Sequence, residues 1–180
     1  MNTTSPFLAT SPDTDRAPRY WDEITVSIGD RQTDILLVSD GDALLHVWFG
    51  PLHPGDKVPS DWTADAGPLR QAASQLEAYA AGDLEEFDLP IRPKGTEFQL
   101  EIWRALTAIP YGTTTTYGRI ASDIGHPTSS RAVGAAVGAN PLGIVVPCHR
   151  VIGANGSLTG YAGGLENKVA LLRLEGVTAV

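Results

Sequence analysis

A chain of 180 residues with 42% apolar side chains can bury one good core or two small ones, and no apolar stretch in it approaches the roughly 20 residues of a membrane span. Its net charge of −8 argues against a phosphate-binding surface only until the chain is divided: residues 1–90 hold 5 basic against 16 acidic side chains, a net of −11, and residues 91–180 hold 8 against 5, a net of +3. The acidity belongs to the first half, so the second can face DNA, with weak non-specific affinity that falls as salt is added.

Met1 to Arg19 is rich in Ser, Thr, Pro and Asp and has no apolar segment of the kind a signal peptide needs, so it reads as the mobile tail of a cytoplasmic protein. From Ile24 to Phe49 three β-rich runs are separated by GDRQ and SDGD, both turn chemistry, which predicts an antiparallel meander. Residues 66–82 predict a helix with Pro68 near its start and Gly82 at its end, completing an α/β domain over 20–90. Asp88 to Thr96, with two prolines and a glycine, reads as the linker to a second domain over 91–180.

That second half opens with a T-x-x-Q capping box, Thr96 to Gln99, followed by Phe98, Ile102, Leu106 and Ile109 at near-helical spacing; Pro110 stops the helix. Short helices come next at about Tyr117 to Ile124 and Ser130 to Ala139, separated by GHPTS, an arrangement that fits a helix-turn-helix as well as an ordinary helical corner. The second of them offers Ala, Gly and Val rather than the Asn, Gln or Lys that bond base edges, a surface suited to close approach in a narrow groove. Gly143 to Pro147 reads as a buried strand delivering Cys148, Tyr161 to Gly164 as a loop free to approach a ligand, and Leu165 to Gly176 as a last amphipathic helix.

Cys148 is the only cysteine, which excludes an internal disulfide, and the histidines His46, His53, His126 and His149 show no metal-ligand spacing; no metal and no cofactor are expected. The sulfur is therefore either a small buried hydrophobe or a nucleophile. His149 follows it directly, but neighbours in an extended segment point to opposite faces, so a bridging water is the natural link between thiol and imidazole. A base of this kind also needs an acid on its far nitrogen, and Glu97, Glu101, Asp123, Glu166 and Glu175 are all candidates by spacing.

Five segments occur in order: YGTTTTYGRIA (Tyr111 to Ala121), SRAVGAAVGANP (Ser130 to Pro141), PCHRV (Pro147 to Val151), GYAGG (Gly160 to Gly164) and LLRLEG (Leu171 to Gly176). Together they resemble the O6-alkylguanine-DNA alkyltransferases, the methylated-DNA-protein-cysteine methyltransferase family, over about Arg92 to Gly176. The resemblance implies an α+β fold, with a small antiparallel sheet and helix in a ribonuclease-H-like layout followed by a mostly helical, winged helix-turn-helix-like catalytic domain. It implies a monomer acting on double-stranded DNA that carries O6-alkylguanine, and O4-alkylthymine as well. Cys148 would take the alkyl group as a thioether, Glu175 would orient His149, and the Tyr117 hydroxyl would donate to the departing base.

By the same resemblance Asn140 braces the turn that carries the active site, although capping a helix before Pro141 is its plainer role. Arg131 fills the space left by a flipped base, and Ala132, Ala135 and Ala136 let their helix lie in the minor groove. Pro147, Val151, Tyr161 and Ala162 line the base pocket, Val151 through its carbonyl and Ala162 through its N–H; the family often has Ser where this chain has Ala162. A thioether cannot be displaced by mild thiols, and no second cysteine could resolve it, so each molecule should act once. Two other functions fit a DNA-binding domain with one reactive thiol: a lesion sensor that holds the base without reacting, and a cysteine hydrolase. Relatives of the sensor type lack the cysteine, and a hydrolase would need an oxyanion hole for which the sequence shows no signature.

Overall fold

The computed structural model describes residues 6–9, 17–50 and 58–178. β1 (Arg19–Ile28), β2 (Arg31–Ser39) and β3 (Leu44–Phe49) form the expected antiparallel meander. Gly29, in the left-handed region at φ 64°, makes the first turn, and the Asp40 carboxylate closes the second by accepting from the N–H groups of Asp42 and Ala43. A fourth strand, β4 (Trp62–Ala64), pairs parallel with β1 and gives the order β3-β2-β1-β4. At three residues β4 is too short to show a sequence pattern.

β2 is buried on both faces. Ile35 and Leu37 point into the main core, while Leu36 and Val38 meet Leu45, Trp21 and Trp62 on the opposite side, the alternation a strand imposes. The main core is covered by α1 (Arg70–Ala81), which turns a stripe of Ala72, Leu76, Tyr79 and Ala80 toward the sheet and ends at left-handed Gly82.

β3 is the sheet edge nearest the second half, and its free backbone groups anchor the segments that join the two halves. Leu44 exchanges hydrogen bonds with the chain at Pro90 and Arg92, and the Arg92 guanidinium pairs with the Asp40 carboxylate. The expected linker is thus a strap held along the sheet. Pro6–Ala9 lies on the other side of it, with Leu8 N–H to Ile91 O at 2.8 Å and Ile91 N–H to Pro6 O at 2.9 Å. These four residues of the expected tail are docked, whereas residues 1–5 and 10–16 lie outside the described residues. Further along the same edge, Val47 N–H donates to Pro141 O at 2.9 Å and Val47 O accepts from Gly143 N–H at 3.2 Å.

In the second half α2 (Glu97–Thr107) begins at the expected capping box and buries Ile102, Trp103 and Leu106. α3 (Tyr117–Asp123) and α4 (Ser130–Gly138) pack on each other, α4 also packs on α2, and α5 (Leu165–Leu174) closes the chain. β5 (Thr115–Thr116) and β6 (Val151–Ile152) form a two-residue parallel pair. One continuous cluster of buried side chains runs from Val26 to Leu171 through both halves. No helix among the described residues is long and apolar enough to cross a membrane.

The run before the cysteine departs from expectation. Gly143 to Pro147 is buried but is not a strand: Val146 N–H bonds Leu142 O at 2.8 Å, Val145 N–H bonds Gly143 O at 2.8 Å, and Ile144 sits at φ 69°. The pairing with the sheet edge is a single bridge, Leu142 opposite Val47, and the chain then folds back on itself. A short apolar run satisfies a buried strand and a buried turn equally, so periodicity does not separate them. Cys148–Arg150 then forms a single 3-10 turn.

Candidate active site

Three consecutive buried residues make the centre of the site: Cys148 is 7% exposed, His149 0% and Arg150 6%. The turn that presents them is held at both ends. Val47 grips it from the sheet, while Asn140 spans it, its Nδ2 donating to Val146 O at 2.8 Å and its Oδ1 accepting from Leu142 N–H at 3.0 Å. Asn140 therefore ties the loop rather than merely ending α4.

Opposite this turn, Glu175 caps the C-terminal end of α5, where Gly176 at φ 79° turns the chain away. A carboxylate there opposes the helix dipole and needs donors of its own. It has them: Oε1 lies 2.8 Å from His149 Nε2 and accepts from Arg150 Nη2 at 2.9 Å and the Tyr79 hydroxyl at 2.5 Å. Oε2 accepts from Arg150 Nε at 3.0 Å and Gly112 N–H at 3.2 Å. Arg150 also donates through Nη1 to Ile109 O at 2.6 Å. Burial pushes the Glu175 carboxyl up, but hydrogen bonds from His149 and Arg150 outweigh it and hold the group down at about 2. An ionised Glu175 assigns the proton of neutral His149 to Nε2, which leaves the buried Nδ1, without a partner among the described residues, as the basic nitrogen. Burial also lowers the imidazole's pKa, against the raising effect of Glu175, so His149 is neutral at rest.

Around the sulfur, burial pushes the thiol up, against the Asn140 side chain and the Lys168 charge. Lys168 is itself fully buried, its ammonium donating to Val151 O at 2.6 Å and Thr159 O at 3.2 Å. Tyr161 faces Cys148; burial first, then the neighbouring sulfur, raises its phenol well above the ordinary range. Phe49 of β3 packs edge-on against the Tyr161 ring at 5.6 Å.

An open cavity of roughly 650 Å³ lies between α3, α4 and the loop before α5. Tyr117, Arg131 and Ala162 meet on its wall, and Thr159 donates to the Tyr117 hydroxyl at 3.0 Å. Gly134 of α4 faces the Tyr117 ring, which a side chain's first carbon would meet at 3.7 Å, an ordinary contact. Arg131, Ala132 and Ala135 are all open to solvent along α4. Ala136 is not: it is 3% exposed and its carbonyl accepts from the Trp103 indole at 2.9 Å, so its smallness serves packing on α2 and not a groove. Pro147 also lies elsewhere than expected, on the groove between the two halves with Phe87, Tyr111 and Arg150. Val151 is buried, with its carbonyl already taken by Lys168.

With this geometry in place, residues 97–177 match the family described as 6-O-methylguanine DNA methyltransferase, DNA binding domain. A methylated-DNA--protein-cysteine methyltransferase of Methanosarcina acetivorans is 54% identical over 142 residues, which cover 79% of this chain and 91% of that protein. The chain belongs to the methylated-DNA–protein-cysteine methyltransferase family. Another family protein, from Mycobacterium bovis, is 57% identical over 114 residues, covering 63% of this chain and 69% of its own. The fold agrees: the O6-methylguanine methyltransferase of Mycobacterium tuberculosis superposes with a TM-score of 0.76 at 44% identity, covering 90% of this chain and 94% of that one. The M. tuberculosis OGT in complex with DNA gives 0.78 at 44% identity, covering 89% and 94%.

Sequence reasoning does not assign Tyr79, Gly112, Arg150, Thr159 or Lys168 a role in the site. Lys168 leaves a signal. With Leu171, Leu172 and Glu175 it follows the i, i+3, i+4, i+7 stripe of α5, so a lysine and a glutamate occupy positions where a helix buries its face. Tyr79 leaves none, because as an aromatic on the apolar stripe of α1 it reads as core.

Proposed function

We propose that this family member repairs DNA by a single-use transfer of an alkyl group, methyl above all, from O6-alkylguanine in duplex DNA to Cys148. The observation that carries the reading is the buried Glu175–His149 bond of 2.8 Å, aligned on the residue next to the only thiol of the chain. As sulfur attacks the alkyl carbon, its proton passes through one water to His149 Nδ1, the carbon–O6 bond breaks, and the electron pair of that bond goes to the guanine. Tyr117 donates to the base as that charge develops, with its hydroxyl oriented by Thr159. Over the whole reaction the thiol proton ends on the guanine. The lysine at 168 adds a positive charge beside the sulfur, which favours the developing thiolate.

Reaching the base requires turning it out of the stack, at a cost of a few kcal/mol. Arg131 would occupy the vacated space from the minor-groove side, with Ala132 and Ala135 lying against the groove and Ala162 N–H and Tyr161 meeting the flipped base. The order β3-β2-β1-β4 with a parallel β1/β4 pair supports a ribonuclease-H-like first half over 20–90, and the β5/β6 pair beside α3 and α4 supports a winged helix-turn-helix-like second half over 91–180. The protein would act as a monomer.

The test is incubation with duplex DNA carrying O6-methylguanine, followed by intact mass and peptide mapping. One methyl per molecule on Cys148, abolished in Cys148→Ser, is the expected result. No increment in the unaltered protein, or more than one lesion cleared per molecule, overturns the reading.

A further inference from the structure

Among the described residues, every polar side-chain contact to the His149–Glu175 pair comes from the second half of the chain except one. Tyr79, on α1 of the acidic first half, reaches across 96 residues to place its hydroxyl 2.5 Å from Glu175 Oε1 and 3.4 Å from His149 Nε2. Its ring is 1% exposed and packs near Phe87 at 5.2 Å and Tyr111 at 6.1 Å, while the hydroxyl is held in place by its own bond to Glu175. We propose that Tyr79 is a positioning residue for the alkyl transfer: its hydroxyl shares Glu175 Oε1 with His149 and so sets the imidazole's orientation and basicity. The proposal rests on the alkyl-transfer reading of Cys148.

The chemistry depends on what each group can donate. Burial, then the Glu175 charge, pushes the phenol far above its ordinary range, so Tyr79 stays a neutral donor throughout. It offers one O–H, and the carboxylate has lone pairs to accept it only by giving up part of what it offers His149. Without that hydroxyl the carboxylate attracts the imidazole proton more strongly. His149 then holds a proton at higher pH, so a smaller share of molecules carries the neutral imidazole that can take the thiol's, and the ring is less firmly oriented. The groups facing His149 are Cys148 and Arg150 on its own turn, Lys168 and Glu175 from α5 and its end, and Tyr79 from α1, with Tyr111 packed behind Arg150. Only Tyr79 among them can lose its polar atom without removing a charge or the nucleophile. The first half is thereby more than a packing partner, because it supplies a donor to the reacting constellation.

The test compares unaltered protein with Tyr79→Phe and Phe87→Leu, all full length. The second variant loosens the packing of the ring while keeping its hydroxyl. Two quantities are read: the nitrogen chemical shifts of His149 through a pH titration of the free protein, and the single-turnover rate on O6-methylguanine duplex DNA against pH. In Tyr79→Phe the His149 titration and the acid limb of the rate should move up by about half a unit to one unit, with the neutral-pH rate about tenfold lower, as expected for losing one hydrogen bond to an ion. Phe87→Leu should lower the melting temperature yet leave both pH curves in place. The proposal is overturned if Tyr79→Phe leaves titration and rate unchanged, or if Phe87→Leu displaces them equally. Should the unaltered protein take up no methyl, the function reading fails, while the His149 titration in Tyr79→Phe still decides the role of Tyr79.

Discussion

Replacing Glu175 by Gln keeps the shape of the buried centre and removes its charge, so its effect can be worked out contact by contact. An amide has one oxygen. If that oxygen faces Tyr79 and His149, the NH2 faces Gly112 N–H and Arg150 Nε; turned round, it faces Tyr79, His149 and Arg150 Nη2. Either way at least two donors meet a donor, each left unsatisfied at roughly 1–3 kcal/mol, and a buried guanidinium loses its counter-ion, a change that alone costs about 3–5 kcal/mol. These overlap rather than add, giving about 4 kcal/mol, or a melting temperature lower by roughly 8–16 °C for a chain of this size. The pH dependence discriminates further. Since the folded carboxyl lies at about 2 and its unperturbed value at 4.5, its stabilisation is complete above 4.5 and is lost as pH falls through about 2. The gap between the two proteins in urea denaturation should therefore close between about pH 5 and about 2. A loss below about 1 kcal/mol at pH 7, or a gap that does not narrow in acid, would refute the reasoning.

Other perturbations separate holding the site from using it. Asn140→Ala removes both hydrogen bonds across the turn before Cys148; alkylation should slow by at least about tenfold, with a destabilisation of about 2 kcal/mol in denaturant titration, and DNA affinity at fixed salt should hold. Gly112→Ala places a methyl carbon 2.9 Å from Glu175 O at φ 71°, and a loss of about 2 kcal/mol or more is expected by thermal melting. Arg131→Ala touches an exposed side chain. It should leave the melting temperature within about 2 °C and slow reaction with duplex DNA far more than with the same lesion in a single strand, where no stack has to be opened.

How much of the molecule is legible in the sequence depends on whether a residue's role is local. The meander, the capping box at Thr96 and the helix stop at Gly82 depend on neighbours in the chain, and each lies where those neighbours put it. Glu175 is one of five carboxylates by spacing; only the resemblance carried by LLRLEG singles it out, and the 2.8 Å contact with His149 lies in the tertiary fold. α4 shows the limit most clearly. Its small residues look alike in sequence, yet the helix leaves Ala132 outside and packs Ala136 under Trp103, a distinction made by α2 and not by α4 itself. The turn before Cys148 passes for a strand for a related reason, since its shape is set by Val47 and by Asn140, both outside the apolar run.

The burial of the thiol looks at first like an obstacle to catalysis, because it pushes the sulfur's pKa up rather than down. For a protein spent in one reaction it is an advantage. A resting thiolate is open to oxidation, and a sulfur lost to an oxidant leaves the molecule as useless as one that has done its repair. Keeping the proton on sulfur until an alkyl carbon arrives requires that the acceptor be ready and unable to hand the proton to its own carboxylate partner. Neutral His149, oriented by a carboxylate that stays ionised down to about pH 2, meets both conditions: Nδ1 can take the proton, and Glu175 stabilises the imidazolium without becoming an acid itself. The low pKa of Glu175 and the raised pKa of Cys148 are thus two sides of one arrangement, in which charge separates only when the leaving group can absorb it.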